Sequence, residues 1–176
     1  GLFLYKFILM EKKNILLFIL CLTLISNGQI EYPKKFFSSP IKMKIAIAGT
    51  FGELRNNHFH SGIDIKTKQK KYIPICAAQD GYISRIKVST YGFGKALYIN
   101  HEQGFTTVYA HLEEFQEQIQ QKALEEHYRQ ELYEIDFSLK ENEIEVKKGD
   151  TIGFSGNTGS STAPHLHFEI RDTKTQ

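Results

Sequence analysis

The stretch Ala163-Pro164-His165-Leu166-His167-Phe168-Glu169-Ile170 alternates strictly between polar and apolar side chains. Successive side chains of a strand point to opposite faces. Leu166, Phe168 and Ile170 therefore share one face, and His165, His167 and Glu169 the other. Two histidines at i and i+2 stand about 6.5–7 Å apart along a strand. That is too far for contact, yet close enough to serve one metal ion and its bound water. A glycine-rich run, Gly153-Phe154-Ser155-Gly156-Asn157-Thr158-Gly159, leads into the strand. The expectation is a metal site built on a rigid strand, with its other ligands upstream.

The chain of 176 residues is long enough for one domain with its own core. Its start reads differently. Lys12-Lys13, the apolar run Ile15–Ile25 and the exit Ser26-Asn27-Gly28 have the pattern of a secretory signal peptide cleaved after Gly28. An uncleaved anchor is the alternative, and Leu20 before Cys21 argues against a lipoprotein. The first methionine is Met10, so Gly1–Leu9 read as upstream sequence outside the protein. Removing Lys6, Lys12, Lys13 and Glu11 from 22 basic and 20 acidic residues leaves 19 of each. A neutral mature chain gives no support to nucleic-acid binding. Only Cys76 remains of the two cysteines, which excludes an intrachain disulfide; it reads as a small core residue.

Residues 29–40 read as an irregular lead-in, and 41–176 as the functional domain. Ile41, Met43, Ile45 and Ile47 alternate with polar or small residues, predicting a half-buried strand that ends in Gly49-Thr50-Phe51-Gly52. Strands are expected at Tyr72–Ala78 and Tyr82–Val88, joined by a hairpin signal at Gln79-Asp80-Gly81. Ala96–Asn100, Phe105–Leu112 and Glu145–Val146 follow with tight turns between them. The fold class is mainly β: an antiparallel sandwich or open, barrel-like sheet. Residues 113–133 break the pattern. Phe115, Ile119, Ala123, Leu124, Tyr128 and Leu132 recur at helical spacing, predicting an inserted amphipathic helix. It serves either as packing over one end of the sheet or as a lid or partner-binding element. Residues 134–143 read as an acidic connection.

Catalytic zinc typically keeps three His, Asp or Glu ligands and leaves one position for water. The candidates are His58, His60, Asp64, His101, His111, His127, His165 and His167. His127 falls on the charged helical face and His101 in a turn, so both read as ordinary polar residues. His60-Ser61-Gly62-Ile63-Asp64 has a three-residue gap, and a bend at Ser61-Gly62 brings its two ends together from a loop and a strand start.

Taken in order, these motifs resemble the LytM/lysostaphin-type zinc endopeptidases of peptidoglycan. The matching segments are Phe51-Gly52-Glu53-Leu54-Arg55, His60-x-x-x-Asp64, Tyr91-Gly92-x-Gly94 through His101, Tyr109-Ala110-His111-Leu112, and Gly153 through Glu169. The resemblance implies zinc ligands at His60, Asp64 and His167, with His111 and His165 acting on water and substrate. It implies one Zn2+ per domain and a peptidoglycan peptide substrate, cut within cross-links or stem peptides. The bond cleaved, and which histidine is the base, stay open. His58 reads as a partner of the site, a groove residue or an exposed loop histidine. Glu169 either orients a histidine ring or is solvated. Lys66, Lys68, Lys70 and Lys71 either attract acidic wall groups or form a solvated loop.

The principal alternative is a degenerate, non-catalytic domain that activates a cell-wall amidase. Such domains lack ligands, whereas all five positions are filled here. A wall-binding module and a zinc carboxypeptidase are the other two readings. Related domains continue beyond the final strand, so the end at Gln176 reads as a fragment or a missing packing segment.

Overall fold

The computed structural model describes residues 33–56, 58–141 and 143–175. The expected leader at 1–28 lies outside the described residues. Two compact units are present, Gly1–Lys35 and Phe36–Gln176. Only Pro33–Lys35 of the first are described, and the sheet belongs to the second. Among the described residues, no helix is long and apolar enough to cross a membrane.

Ten strands form one antiparallel sheet. They are β1 (Ile47–Gly49), β2 (Ile63–Lys66), β3 (Pro74–Cys76), β4 (Gly81–Val88), β5 (Lys95–His101), β6 (Phe105–Phe115), β7 (Ile135–Ser138), β8 (Glu145–Val146), β9 (Thr151–Ser155) and β10 (His165–Asp172). Among the described residues one α-helix is present, α1 (Glu117–Gln130), which follows β6. The main path runs β1-β2-β10-β6-β5-β4-β7, with β8 also on β4. The sheet forks at β6: its first part pairs with β5 and β10, while its end pairs with β9, which carries β3. This mainly β, open antiparallel architecture with one inserted helix is the expected class.

The core lies on one face of the path. Ile65, Ile75, Ile83, Ile86, Leu97, Ile99, Tyr109, Leu112, Ile152 and Leu166 are sealed from solvent there. Cys76 is buried among them as expected. On the opposite face of β5 and β6, Ala96, Tyr98, Val108 and Ala110 form a smaller cluster with Phe93. The His165/His167/Glu169 side of β10 belongs to this second face.

Several local expectations are corrected. The strand predicted from Ile41 shrinks to β1, and Ile45 and Ile47 are exposed. β1 pairs only with β2 at the sheet's edge and is interrupted by a bulge, so a long alternating strand has nothing to bury against. Ile41 is buried alone through an isolated bridge to Ile75. The Gln79-Asp80-Gly81 turn does not close a hairpin: β3 pairs with β9, because β4's two edges are taken by β5 and by β7 and β8.

The insert is shorter than residues 113–133. Residues 112–115 stay in β6, where β9 offers hydrogen bonds. The Gln116 side chain then caps α1 by accepting from the Gln118 amide, and Glu131 ends it in a left-handed conformation. Only Ile119 and Ala123 of the helix are buried; Leu124, Tyr128 and Leu132 are exposed. The acidic connection contains β7, whose Ile135 is buried opposite Val88. Ile170, expected in the core, is half exposed because β10 outruns its neighbour β2, whose pairing ends at Phe168.

Candidate metal centre and active site

The register of two strands builds the centre. β2 and β10 run antiparallel with Asp64 opposite His167 and Lys66 opposite His165. Residues directly opposite in such a pair project from the same face. Asp64 and His167 therefore meet on the face away from the core. His60 reaches them from the loop before β2. Its Nε2 lies 3.0 Å from His167 Nδ1 and 3.1 Å from Asp64 Oδ1, and His167 Nδ1 lies 3.0 Å from the same oxygen.

The remaining atoms of each residue are tied down, which fixes what the converging atoms can be. His60 donates from Nδ1 to the Thr50 carbonyl at 2.8 Å, leaving a lone pair at Nε2. His167 donates from Nε2 to Glu169 Oε1 at 2.8 Å, leaving a lone pair at Nδ1. Arg55 donates to the second Asp64 oxygen, Oδ2, at 2.9 Å. Three acceptors thus face one another with no donor between them, an arrangement that a cation satisfies. Their spacing of 3.0–3.1 Å is close to the roughly 3.3 Å between donors set tetrahedrally about 2.0 Å from zinc. His60, Asp64 and His167 can hold a metal ion.

The electrostatics agree. Burial works to raise the Asp64 carboxyl, but the surrounding His165, His167 and His60 imidazoles overcome it and hold the group far below the usual carboxylate range. Burial alone would lower His167, yet the Asp64 and Glu169 carboxylates raise it. The pocket favours positive charge at that nitrogen. Glu169 is itself lowered to about 2: burial opposes this, and His167, Arg171 and Ser61 outweigh the burial. The Ser61 hydroxyl donates to Oε1 and Arg171 Nε to Oε2. Glu169 is therefore a fully engaged, buried partner of His167, and the solvated alternative is excluded.

His111 and His165 flank the cluster with ring centroids 4.8 Å apart, and His111 lies 5.9 Å from His167. His165 donates from Nδ1 to the Ala163 carbonyl at 2.8 Å and turns Nε2 toward Asp64 Oδ1, 3.4 Å away. His111 donates from Nδ1 to the Thr158 carbonyl at 2.8 Å. Burial pushes its pKa down to about 4, so the ring is neutral. His111 reaches the site through a bulge. Val108 and Ala110 share the site face and Tyr109 the core face, so plain alternation would send His111 into the core. Instead two residues of β6, Ala110 and His111, oppose the single Ala96 of β5 between the Leu97–Tyr109 and Lys95–Leu112 pairs. His111 takes φ 59°, and Leu112 returns to the core.

The glycine-rich segments hold this arrangement. Gly92 and Ser160 exchange backbone and side-chain hydrogen bonds, and Thr158 bridges Lys95 N and Leu112 O. Gly94, at φ 63°, lies so close to Thr158 and Gly159 that a Cβ there would fall 2.3–2.5 Å from them. The clasp positions the Thr158 carbonyl for His111 and sets Phe93 against His167, centroids 5.1 Å apart.

Of the eight candidates, five converge. His58 is exposed on the rim of the cleft. His127 is half-buried on the helix, away from the cleft, and bonds the Leu132 carbonyl beyond the helix end. His101 is no turn residue: it ends β5, is buried, and bridges the Asp80 carbonyl to the Thr107 hydroxyl. An open cleft of about 1030 Å³ spans the cluster, walled by Arg55, Lys66, Lys68 and the segment 160–164.

Residues 58–127 and 125–176 match the sequence profile of peptidase family M23. The chain belongs to peptidase family M23. It is 36% identical over 150 residues to the DD-carboxypeptidase/endopeptidase Mpg of Neisseria meningitidis, covering 82% of this chain and 29% of that protein. It is 31% identical over 97 residues to the peptidoglycan DD-endopeptidase ShyC of Vibrio cholerae, covering 55% of this chain and 17% of that one. The chain thus spans less than a third of the length of these relatives. The solved catalytic domain of lysostaphin from Staphylococcus simulans superimposes with a TM-score of 0.51 at 27% identity, covering 73% of this chain and 78% of that domain.

Within this M23 fold the motif residues without an assigned role in the sequence acquire one. Arg55 anchors Asp64, Ser61 and Arg171 anchor Glu169, and Thr158 anchors His111. Gly62 is required by space. A Cβ there would sit 2.4 Å from the Phe168 carbonyl oxygen and 2.7 Å from Glu169 Cγ. A glycine beside a strand start is a signal of close backbone approach, though it does not say to what.

Proposed function

We propose that this chain is an exported, zinc-dependent endopeptidase that hydrolyses peptide bonds in peptidoglycan cross-links or stem peptides. The observation that carries the reading is the convergence of three lone-pair donors, on His60, Asp64 and His167, beside His111 and His165 in one cleft. The names of the M23 relatives support the substrate class. The basic, apolar, small-residue order of residues 12–28 supports export.

His60, Asp64 and His167 would hold the zinc, which when bound lowers the pKa of its water and polarises a carbonyl. The other residues handle protons. Both His111 and His165 commit Nδ1–H to a backbone carbonyl, so each offers Nε2 as an acceptor. One of them takes the proton of the attacking water as its oxygen bonds to the peptide carbon. The imidazolium formed then stabilises the negative oxygen and returns the proton to the leaving amine as the C–N bond breaks. Arg55 and Glu169 hold Asp64 and His167 in orientation.

Zinc analysis together with digestion of purified peptidoglycan tests this. Chelation should abolish digestion and zinc restore it. His167→Ala should lose the metal, whereas His165→Ala should keep it and lose at least about 100-fold in turnover. Full digestion in chelator would overturn the metal reading, and a metal-free, inactive protein would favour an amidase activator.

A further inference from the structure

The chain carries a formal net charge of only +2, yet its cleft is cationic. Arg55, Lys66, Lys68 and Asp64 are the charged residues lining it, besides its histidines. Arg55 and Asp64 neutralise each other at 2.9 Å. The described residues give Lys66 and Lys68 no anionic partner, whereas Lys71, three residues on, pairs with Glu113 at 3.1 Å. Two uncompensated positive charges therefore remain in the cleft wall.

Their placement is built by the fold. Lys66 is the next residue after Asp64 on the same face of β2, and it lies directly opposite His165. It thus stands about 6.5–7 Å along the strand from the Asp64 position, or about two residues of an extended peptide. The following loop is held rather than loose. Thr67 is sealed from solvent and donates to the Pro164 carbonyl at 3.0 Å, and the Lys70 carbonyl accepts from the Ser155 hydroxyl at 3.1 Å. Between these anchors Lys68 and Gln69 take φ 54° and 59°. Two successive non-glycine residues in that left-handed region are strained, a conformation that a merely solvated lysine run does not require.

We propose that Lys66, assisted by Lys68, binds a carboxylate of the peptide substrate within about two residues of the scissile bond. This deepens the endopeptidase reading and rests on it for the location of that bond. The ligand chemistry is a free carboxylate on an extended peptide, either the chain's terminal carboxylate or one carried on a side chain. Peptides without one, such as neutral glycine bridges, would be poor ligands.

Equilibrium binding to the full chain in the presence of chelator tests the proposal. Chelation removes turnover and any direct carboxylate–metal contact. Three synthetic pentapeptides of one sequence are compared at low salt: one with only a terminal carboxylate, one with only a side-chain carboxylate, and one fully amidated. At least one acid should bind about five- to tenfold more tightly than the amide, with the advantage shrinking at high salt. The acid that shows the advantage identifies the source. Lys66→Gln should bring the ratio near one, and Lys68→Gln should reduce it partly. Lys174→Gln, outside the cleft, makes the same charge change and should preserve the ratio. Equal binding of acid and amide, or a preference that survives the double Lys66→Gln/Lys68→Gln variant, overturns the proposal. Failure to digest peptidoglycan with zinc present would instead sink the endopeptidase reading and leave these ratios as measured.

Discussion

Replacing Glu169 separates what that residue does for His167 from what it does for the sheet. Glu169 is 2% exposed and accepts from His167 Nε2, Ser61 and Arg171. In Glu169→Ala, Ser61 is exposed and Arg171 partly so, and both can turn to water. His167, at 3% exposure, cannot. One stranded buried donor costs about 1–3 kcal/mol, and the lost side-chain methylenes add about 1 kcal/mol. Urea unfolding of the chelated protein should therefore show a loss of about 2–4 kcal/mol. The loss to the metal is separate. Without its acceptor the His167 ring is free to choose the other tautomer, which places a proton on Nδ1 and removes the lone pair facing Asp64. Zinc affinity, read by competition with a chromophoric chelator, should fall about 10–100-fold. Glu169→Gln still offers an oxygen to His167 Nε2 and should fall by no more than about tenfold. A Glu169→Ala protein that binds zinc within twofold of the parent, however destabilised, would refute the orienting role.

Two further outcomes rest on the geometry. Gly62→Ala places a Cβ 2.4 Å from the Phe168 carbonyl oxygen, a backbone atom that cannot swing away. It should cost about 1–3 kcal/mol in urea unfolding and weaken zinc binding, with unchanged values of both contradicting the packing. His111, lowered to about 4 by burial, is neutral in the folded protein over a range where the unfolded chain takes up a proton. Stability due to this group is therefore full above about pH 6.5 and is lost as pH falls toward 4, by up to about 3 kcal/mol. Urea unfolding of the chelated protein across this window should be steeper in pH than that of His111→Gln. Parallel curves would show that burial does not hold the ring neutral.

Strict alternation from His165 to Ile170 was legible because period two is a property of consecutive residues. It placed His167 and Glu169 on one face and Leu166 and Phe168 on the other before any partner strand was known. The five residues that converge in the cleft were singled out by a different route, through motif order and its resemblance to one family. Where alternation had to be judged against neighbours it misled. Ile45 and Ile47 have the pattern of a buried strand and lie exposed at an edge. Leu124, Tyr128 and Leu132 have the spacing of a packed helix face and meet solvent. His101 reads as a turn residue, yet strand ends brought together from far along the chain bury it.

By itself, then, the sequence determined the mainly β class, the His165–Glu169 face and the identity of the five converging residues. The tertiary structure decided the rest. It forked the sheet at β6, sent β3 to β9 rather than to β4, and set Lys66 opposite His165 and Asp64 opposite His167. It also turned His111 out of the core through one extra residue in β6. The physical reason is the range of the interactions. Side-chain alternation and turn chemistry act between residues a few positions apart, whereas strand register and bulges depend on hydrogen bonds to segments that only the folded chain brings alongside.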